Sequence, residues 1–241
     1  MNAMNPMNRQ PGFTLAELAI ALVIFSLLIG GMFVSISTQL ESRRISDTQK
    51  TLDQVREALI GFLVANGRLP CPAASGATGV ELPAGGGVCT NPYNGFVPAI
   101  TLGLTPTNTS GYLLDGWGYP VRYAVTASDT SAFTTAAQIR ALLIDGNTAT
   151  PAPNLRVCTT SACATVLVND APAVIFSTGS NGGLLPATGG ADEAENTDND
   201  ITFVQRERTI DAASNAIVFD DVVTWLSQHV LYNRLIAAGA I

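Results

Sequence analysis

Apolar positions fall very unevenly along this chain. Residues 13–36 read FTLAELAIALVIFSLLIGGMFVSI, with Glu17 as the single charge. A helix of that length reaches roughly 36 Å, enough to cross a bilayer. The run is longer than the core of a secretory signal and no A-x-A-like site follows it, so a transmembrane helix is expected. Beyond it the helical pattern continues in another form. Ile45, Thr48, Leu52, Val55, Leu59 and Phe62 alternate spacings of three and four, which places one apolar stripe along a helix. Arg44, Asp47, Gln49, Lys50, Asp53, Gln54, Arg56 and Glu57 wet the other face. Asn66-Gly67 followed by Pro70 is a stop signal. One helix over 13–66 is therefore expected, roughly 80 Å long, apolar all round in 13–36 and amphipathic in 37–66.

From 67 to 241 the pattern is that of an α+β head. Short apolar runs at 121–125, 164–168 and 173–176 predict strands. Residues 73–111 and 145–154, rich in Gly, Pro, Thr, Ala and Asn, predict loops. A short helix is expected over 134–144. A final helix is expected after Asp220 or Asp221 as cap, carrying Val222, Trp225, Leu226, Val230 and Leu235, with Gly239 near its end.

Composition narrows the function classes. The 241 residues carry 12 Lys+Arg against 19 Asp+Glu, a net charge of −7. So few scattered cations build no basic patch, which argues against a nucleic-acid partner. Lys50 is the only lysine, and without a glycine-rich approach it makes neither a phosphate loop nor a Schiff-base site. Charged residues are 13% and hydrophobic ones 47%, against about 25% charged in ordinary soluble domains. That balance points to a membrane segment or a packed assembly.

Catalytic constellations are thin. His229 is the only histidine, so a metal site or a triad lacks its usual partners. Ser180 lies in T-G-S-N-G, which is not a nucleophile elbow. Gly85-Gly86-Gly87 follows no strand-to-helix pattern. Trp117, between two glycines, reads as a core or turn aromatic. An enzyme is not expected.

Four cysteines, Cys71, Cys89, Cys158 and Cys163, allow three pairings. Their order suggests Cys71–Cys89 and Cys158–Cys163, with free thiols as the alternative. Neither spacing is that of a zinc site. Disulfides require an oxidising compartment. The head is then expected outside the cytoplasm, which decides an orientation that Arg9, Arg43 and Arg44 leave open.

The segment Gly12-Phe13-Thr14-Leu15-Ala16-Glu17-Leu18 resembles the processing site of type IV prepilins and of the pseudopilins of type II secretion. The resemblance implies a cytoplasmic leader, 1–12, removed after Gly12 by a membrane peptidase that also N-methylates Phe13. It implies that Glu17 is the assembly residue. Ala16 stands where a larger aliphatic residue is commoner, and Arg9 is the one basic residue of the leader.

Three later blocks resemble the major pseudopilin. Ala65-Asn66-Gly67-Arg68-Leu69-Pro70 is similar to the end of its long helix. Leu114 to Tyr123 is similar to its D-P-W-G-N-P stretch, with Gly116 in place of the first proline. Ile175 to Gly183, and then Asp198-Asn199-Asp200-Ile201, resemble its C-terminal calcium loop. This implies Ca²⁺ held by Asn181, Asp198 and Asp200, Asn181 replacing an aspartate. Read without the resemblance, the acidic run from Asp192 to Asp200 is a solvated loop, and it fails the EF-hand pattern because Ile201 stands where glycine is needed.

The fold expected is α+β and pilin-like, a long N-terminal α-helix packed on a small antiparallel-sheet head, 67–241. The function expected is that of a structural subunit, cleaved, N-methylated and polymerised into a type II secretion pseudopilus or a type IV pilus. Its partners would be the prepilin peptidase, other pilin or pseudopilin subunits and an inner-membrane secretion platform. A monomeric periplasmic binding protein anchored by an uncleaved helix is the alternative.

Overall fold

The structure, a computed structural model, describes residues 12, 14–76, 78–136, 138–139, 152–182, 190–214 and 217–239, and of 29–38 the backbone alone. By contact the chain forms two units, residues 1–43 and 44–241. Helix α1 (Leu15–Asn66) supplies the first and opens the second, as the pattern predicts. It runs without interruption through Gly30-Gly31.

The second unit continues with β1 (Gly95–Phe96), α2 (Ala99–Leu102), β2 (Arg122–Val125), the single turn α3 (Ser128–Ser131), β3 (Leu155–Cys158), β4 (Val166–Ala171) and β5 (Ala173–Ser177). Then follow α4 (Ala191–Glu195), β6 (Thr202–Val204), β7 (Thr209–Ile210), β8 (Ile217–Phe219), β9 (Val222–Trp225) and α5 (Gln228–Ala237).

The main sheet has the order β1-β2-β5-β9 and is antiparallel throughout. Alternate residues serve opposite faces, as the two-residue period of a strand requires. Tyr123, Val125, Ala173 and Ile175 pack with Leu52, Val55, Leu59 and Leu63 of α1. Ala124, Val174, Phe176 and Val223 pack instead with Leu155, Val157, Ala171 and Phe203. Those last four come from a second sheet, β4-β3-β6, in which β3 and β6 run parallel. Strand β5 is thus covered on both sides, and all five of its residues are buried. That is why its sequence is an unbroken apolar run rather than an alternating one.

The α+β layout expected is present, with the parallel β3–β6 pair as an addition. The buried face of α1 keeps Thr48, Leu52, Val55 and Leu59 and ends on Ile60 and Leu63. Phe62 is only half-buried, and its ring lies beside the Arg68 guanidinium, 5.1 Å from the ring centre.

Three expectations need correction. The helix expected from Asp220 starts only at Gln228. Val222–Trp225 is strand β9, registered against β5 with Val223 opposite Phe176. A Val-Val-Thr-Trp sequence suits a strand, and the open edge of β5 takes it. Asp220 and Asp221 therefore cap nothing and are buried. The loop expected over 73–111 contains β1 and α2. The strand expected over 164–168 lies two to three residues later, as β4. Most of the helix expected over 134–144, and residues 145–151, lie outside the described residues.

Both disulfides are formed as ordered in sequence, Cys71–Cys89 and Cys158–Cys163. The first is flanked by a buried bidentate pair. Arg68 donates to Glu81 Oε2 at 2.7 Å and Oε1 at 2.6 Å, and the Cys71 N–H donates to the same carboxylate at 3.1 Å.

Candidate functional site

Two places bear on function, one in each unit. In the first, Gly12 is exposed and Phe13 lies outside the described residues. Thr14 and Glu17 close the start of α1 on each other. The Thr14 N–H and hydroxyl donate to Glu17 Oε2 at 2.9 and 3.0 Å, and the Glu17 N–H donates to Thr14 Oγ1 at 3.3 Å. This is a reciprocal capping box, which satisfies amide donors that the first turn of any helix leaves unpaired. Thr14 belongs to the prepilin-like segment, and its T-x-x-E spacing to Glu17 is the signal of this cap.

The helix that follows is apolar on every side. Leu15, Leu18, Ile20, Leu22, Val23, Ile24, Phe25, Leu27 and Leu28 are all exposed. So continuous an apolar surface marks an interaction surface. Among the described residues no helix is long and apolar enough to cross a membrane. Of the segment expected to do so, 13–36, residue 13 and the side chains of 29–36 lie outside the description.

The second place holds two acidic groups, each able to bring three carboxylate oxygens within 4.8 Å of one another. Glu195, at the end of α4 and half-buried, and Asp198 and Asp200, exposed on the loop that follows, form one group. Burial, then the neighbouring carboxylates, raise the pKa of Glu195 and Asp198. Asp198 Oδ1 accepts the Asp200 N–H at 3.1 Å, and Asp200 Oδ1 accepts the Thr202 N–H at 2.6 Å. Asp198 and Asp200 therefore lie close together.

Asn181 is engaged elsewhere. Its Nδ2 donates to Glu193 Oε2 at 2.8 Å, in the other group, made of Glu193, Asp220 and Asp221 and buried throughout. Burial pushes the Glu193 carboxyl up and the Asp221 carboxyl far up. No local spacing announces this group. Glu193 looks like one member of a solvated run, and the two aspartates lie 27 and 28 positions further on.

The residues weighed for catalysis remain apart from both groups or are structurally engaged. His229 is exposed on α5. Ser180 donates its N–H and hydroxyl to Asp220 Oδ2, at 2.8 and 2.5 Å.

A family model, described as the prokaryotic N-terminal methylation motif, matches residues 7–33. No curated protein and no solved structure matches the chain. The motif supports a prepilin-like precursor that is processed at its N-terminus and assembled, with a membrane-associated or pilus-related placement.

Proposed function

We propose that this chain is a structural subunit of a type II secretion pseudopilus or a type IV pilus, cleaved after Gly12, N-methylated at Phe13 and polymerised through α1. The observation that carries this reading is the methylation motif in register with the Thr14–Glu17 box, ahead of a helix whose described apolar side chains are exposed all round. Such a helix is stable only in lipid or against other helices of its kind. In the membrane it holds the precursor for the peptidase; in the fibre it packs against neighbouring subunits. The two disulfides fit a head in the periplasm, with α1 anchored in the inner membrane next to the secretion platform.

Glu17 is the one charge in the apolar run. Cleavage after Gly12 places a cationic amine four residues away. Between staggered subunits, the Glu17 carboxylate and that amine neutralise each other and set the axial register of the fibre. No catalytic step is assigned to the head.

Intact mass of the protein extracted from membranes that carry the peptidase tests this reading. The expected species lacks residues 1–12, carries one added methyl group and has both disulfides. Gly12→Leu should retain the leader, because a bulky side chain crowds the peptidase site. A chain of full precursor mass in fibre-producing cells would instead fit an uncleaved, monomeric binding protein.

A further inference from the structure

We propose that Glu193, Asp220, Asp221 and Asn181 form a buried site for one hard divalent cation, distinct from the exposed Asp198–Asp200 loop. The inference stands independently of the assembly reading.

Glu193 is fully buried, Asp220 and Asp221 are 4% and 5% exposed, and Asn181 is 9% exposed. Both oxygens of Glu193 and one oxygen of each aspartate are held by donors, Glu193 Oε2 by Asn181 Nδ2 at 2.8 Å. Glu193 Oε1 accepts the Asp220 N–H at 2.9 Å, Asp220 Oδ2 accepts from Ser180, and Asp221 Oδ2 accepts from Asn196 Nδ2 at 2.7 Å. Asp220 Oδ1, Asp221 Oδ1 and Asn181 Oδ1 are buried and accept no hydrogen bond from any described residue.

The Asn181 oxygen is the independent observation. Its amide nitrogen is fixed on Glu193, so the oxygen on the same carbon lies at the edge of the group. Buried polar atoms are nearly always satisfied in folded proteins, and three orphaned oxygens around one carboxylate cluster call for a partner that only accepts electron pairs.

Two nearby arginines have partners outside the group. Arg122, which acts electrostatically on Asp221, hydrogen-bonds Asn94 Oδ1 and covers the Phe96 ring. Arg206 pairs with Asp192 at 3.0 Å. The donor set is oxygen alone, carboxylates with one amide, which suits Ca²⁺ or Mg²⁺ rather than the nitrogen- and sulfur-seeking metals.

The backbone makes room for the Asp220 side chain. Gly179 has φ +64°, and a Cβ there would run into the Asp220 carboxylate and carbonyl. The ligands come from the turn after β5, from α4 and from the β8–β9 junction. One ion would tie these three segments together.

The test uses the full chain in detergent, unfolded thermally with EGTA and with millimolar CaCl2, alongside equilibrium dialysis against ⁴⁵Ca²⁺. Calcium should raise the melting temperature of the wild type and of Asp198→Asn/Asp200→Asn, since an ion that binds only the folded state stabilises it in proportion to RT ln(1 + [L]/Kd). Glu193→Gln and Asp221→Asn should lose the shift, and Asp221→Asn should melt in EGTA no lower than the wild type, because it replaces a buried charge with a neutral amide whose oxygen can still accept from Asn196. If those two variants do not fold, dialysis of Asp198→Asn/Asp200→Asn decides alone: one ion per chain supports the buried site and none overturns it. A calcium shift that survives in Asp221→Asn and disappears in the loop variant would also overturn it.

Discussion

Asp115 is 8% exposed and organises the turn that follows it. Its Oδ1 accepts the N–H groups of Trp117 and Tyr119, both at 2.9 Å, and its Oδ2 accepts the Ser177 hydroxyl at 2.5 Å. A short acidic side chain that bonds backbone two and four residues on is a common way to fix a turn. Burial pushes its pKa up, against the opposing pull of these hydrogen bonds. The folded chain therefore holds this proton more tightly than the unfolded chain. Stability from the group is complete below the ordinary carboxylate range and is lost as pH rises through the raised folded value. In urea titrations from about pH 4 to pH 7, the wild type should lose stability relative to Asp115→Asn, and the gap should close at the acid end. Asp115→Ala should cost about 1–3 kcal/mol at every pH, because it orphans two backbone donors and Ser177.

At the scale of elements, the same turn fastens the second half of α1 to the head. The Gly116 N–H donates to Thr48 Oγ1 at 3.0 Å, and Thr48 is fully buried. A Cβ on Gly116 would meet the backbone of Arg44. This explains why glycine stands where the resembling stretch has proline. A proline here would lack the donated N–H and would collide with the helix. Gly116→Ala should lower stability by about 1–3 kcal/mol through forced displacement of the helix, read as a shifted urea midpoint at unchanged slope. Thr48→Val keeps the shape, loses the acceptor and should cost about 1–3 kcal/mol. The disulfides differ in the chain they close. Cys71 and Cys89 are 18 positions apart, Cys158 and Cys163 only 5. Chain entropy assigns about 3 kcal/mol to the first loop and about 2 kcal/mol to the second. The double serine variant of the first pair should therefore unfold at lower urea than that of the second.

For the whole molecule, the proposed function gives the two units separate tasks, and variants should separate them. Glu17 lies in unit 1–43, while the packed core lies in unit 44–241. Glu17→Leu should be inserted, cleaved and folded, with the unfolding midpoint of the head unchanged, and should be missing from sheared fibres. Glu17→Gln makes the test sharper. Glutamine at that position still closes a capping box with Thr14 but carries no charge. If Gln fails as Leu does, the carboxylate acts in assembly through its charge. Normal fibre abundance from both variants would show that Glu17 has no part in assembly.

Local periodicity and punctuation along the chain are enough to read several elements. The 3.6-residue stripe through Leu52, Val55 and Leu59, closed by Asn66-Gly67, delimits α1. Short apolar runs mark β2 and β5, and closeness in the chain selects the cysteine pairs. The register of Gly12 and Glu17 ahead of the apolar run carries the functional reading. Packing in three dimensions chooses between conformations that one pattern allows. Val222, Trp225 and Leu226 fit a helical stripe as well as a strand, and the free edge of β5 makes 222–225 a strand. It alone placed Glu193 under cover while Asp198 and Asp200 stay in solvent, because burial depends on what packs above a residue. It alone gathered Asn181, Glu193, Asp220 and Asp221. Those side chains come from a turn, a helix and a strand junction, and no sequence spacing reports a meeting made by sheet packing.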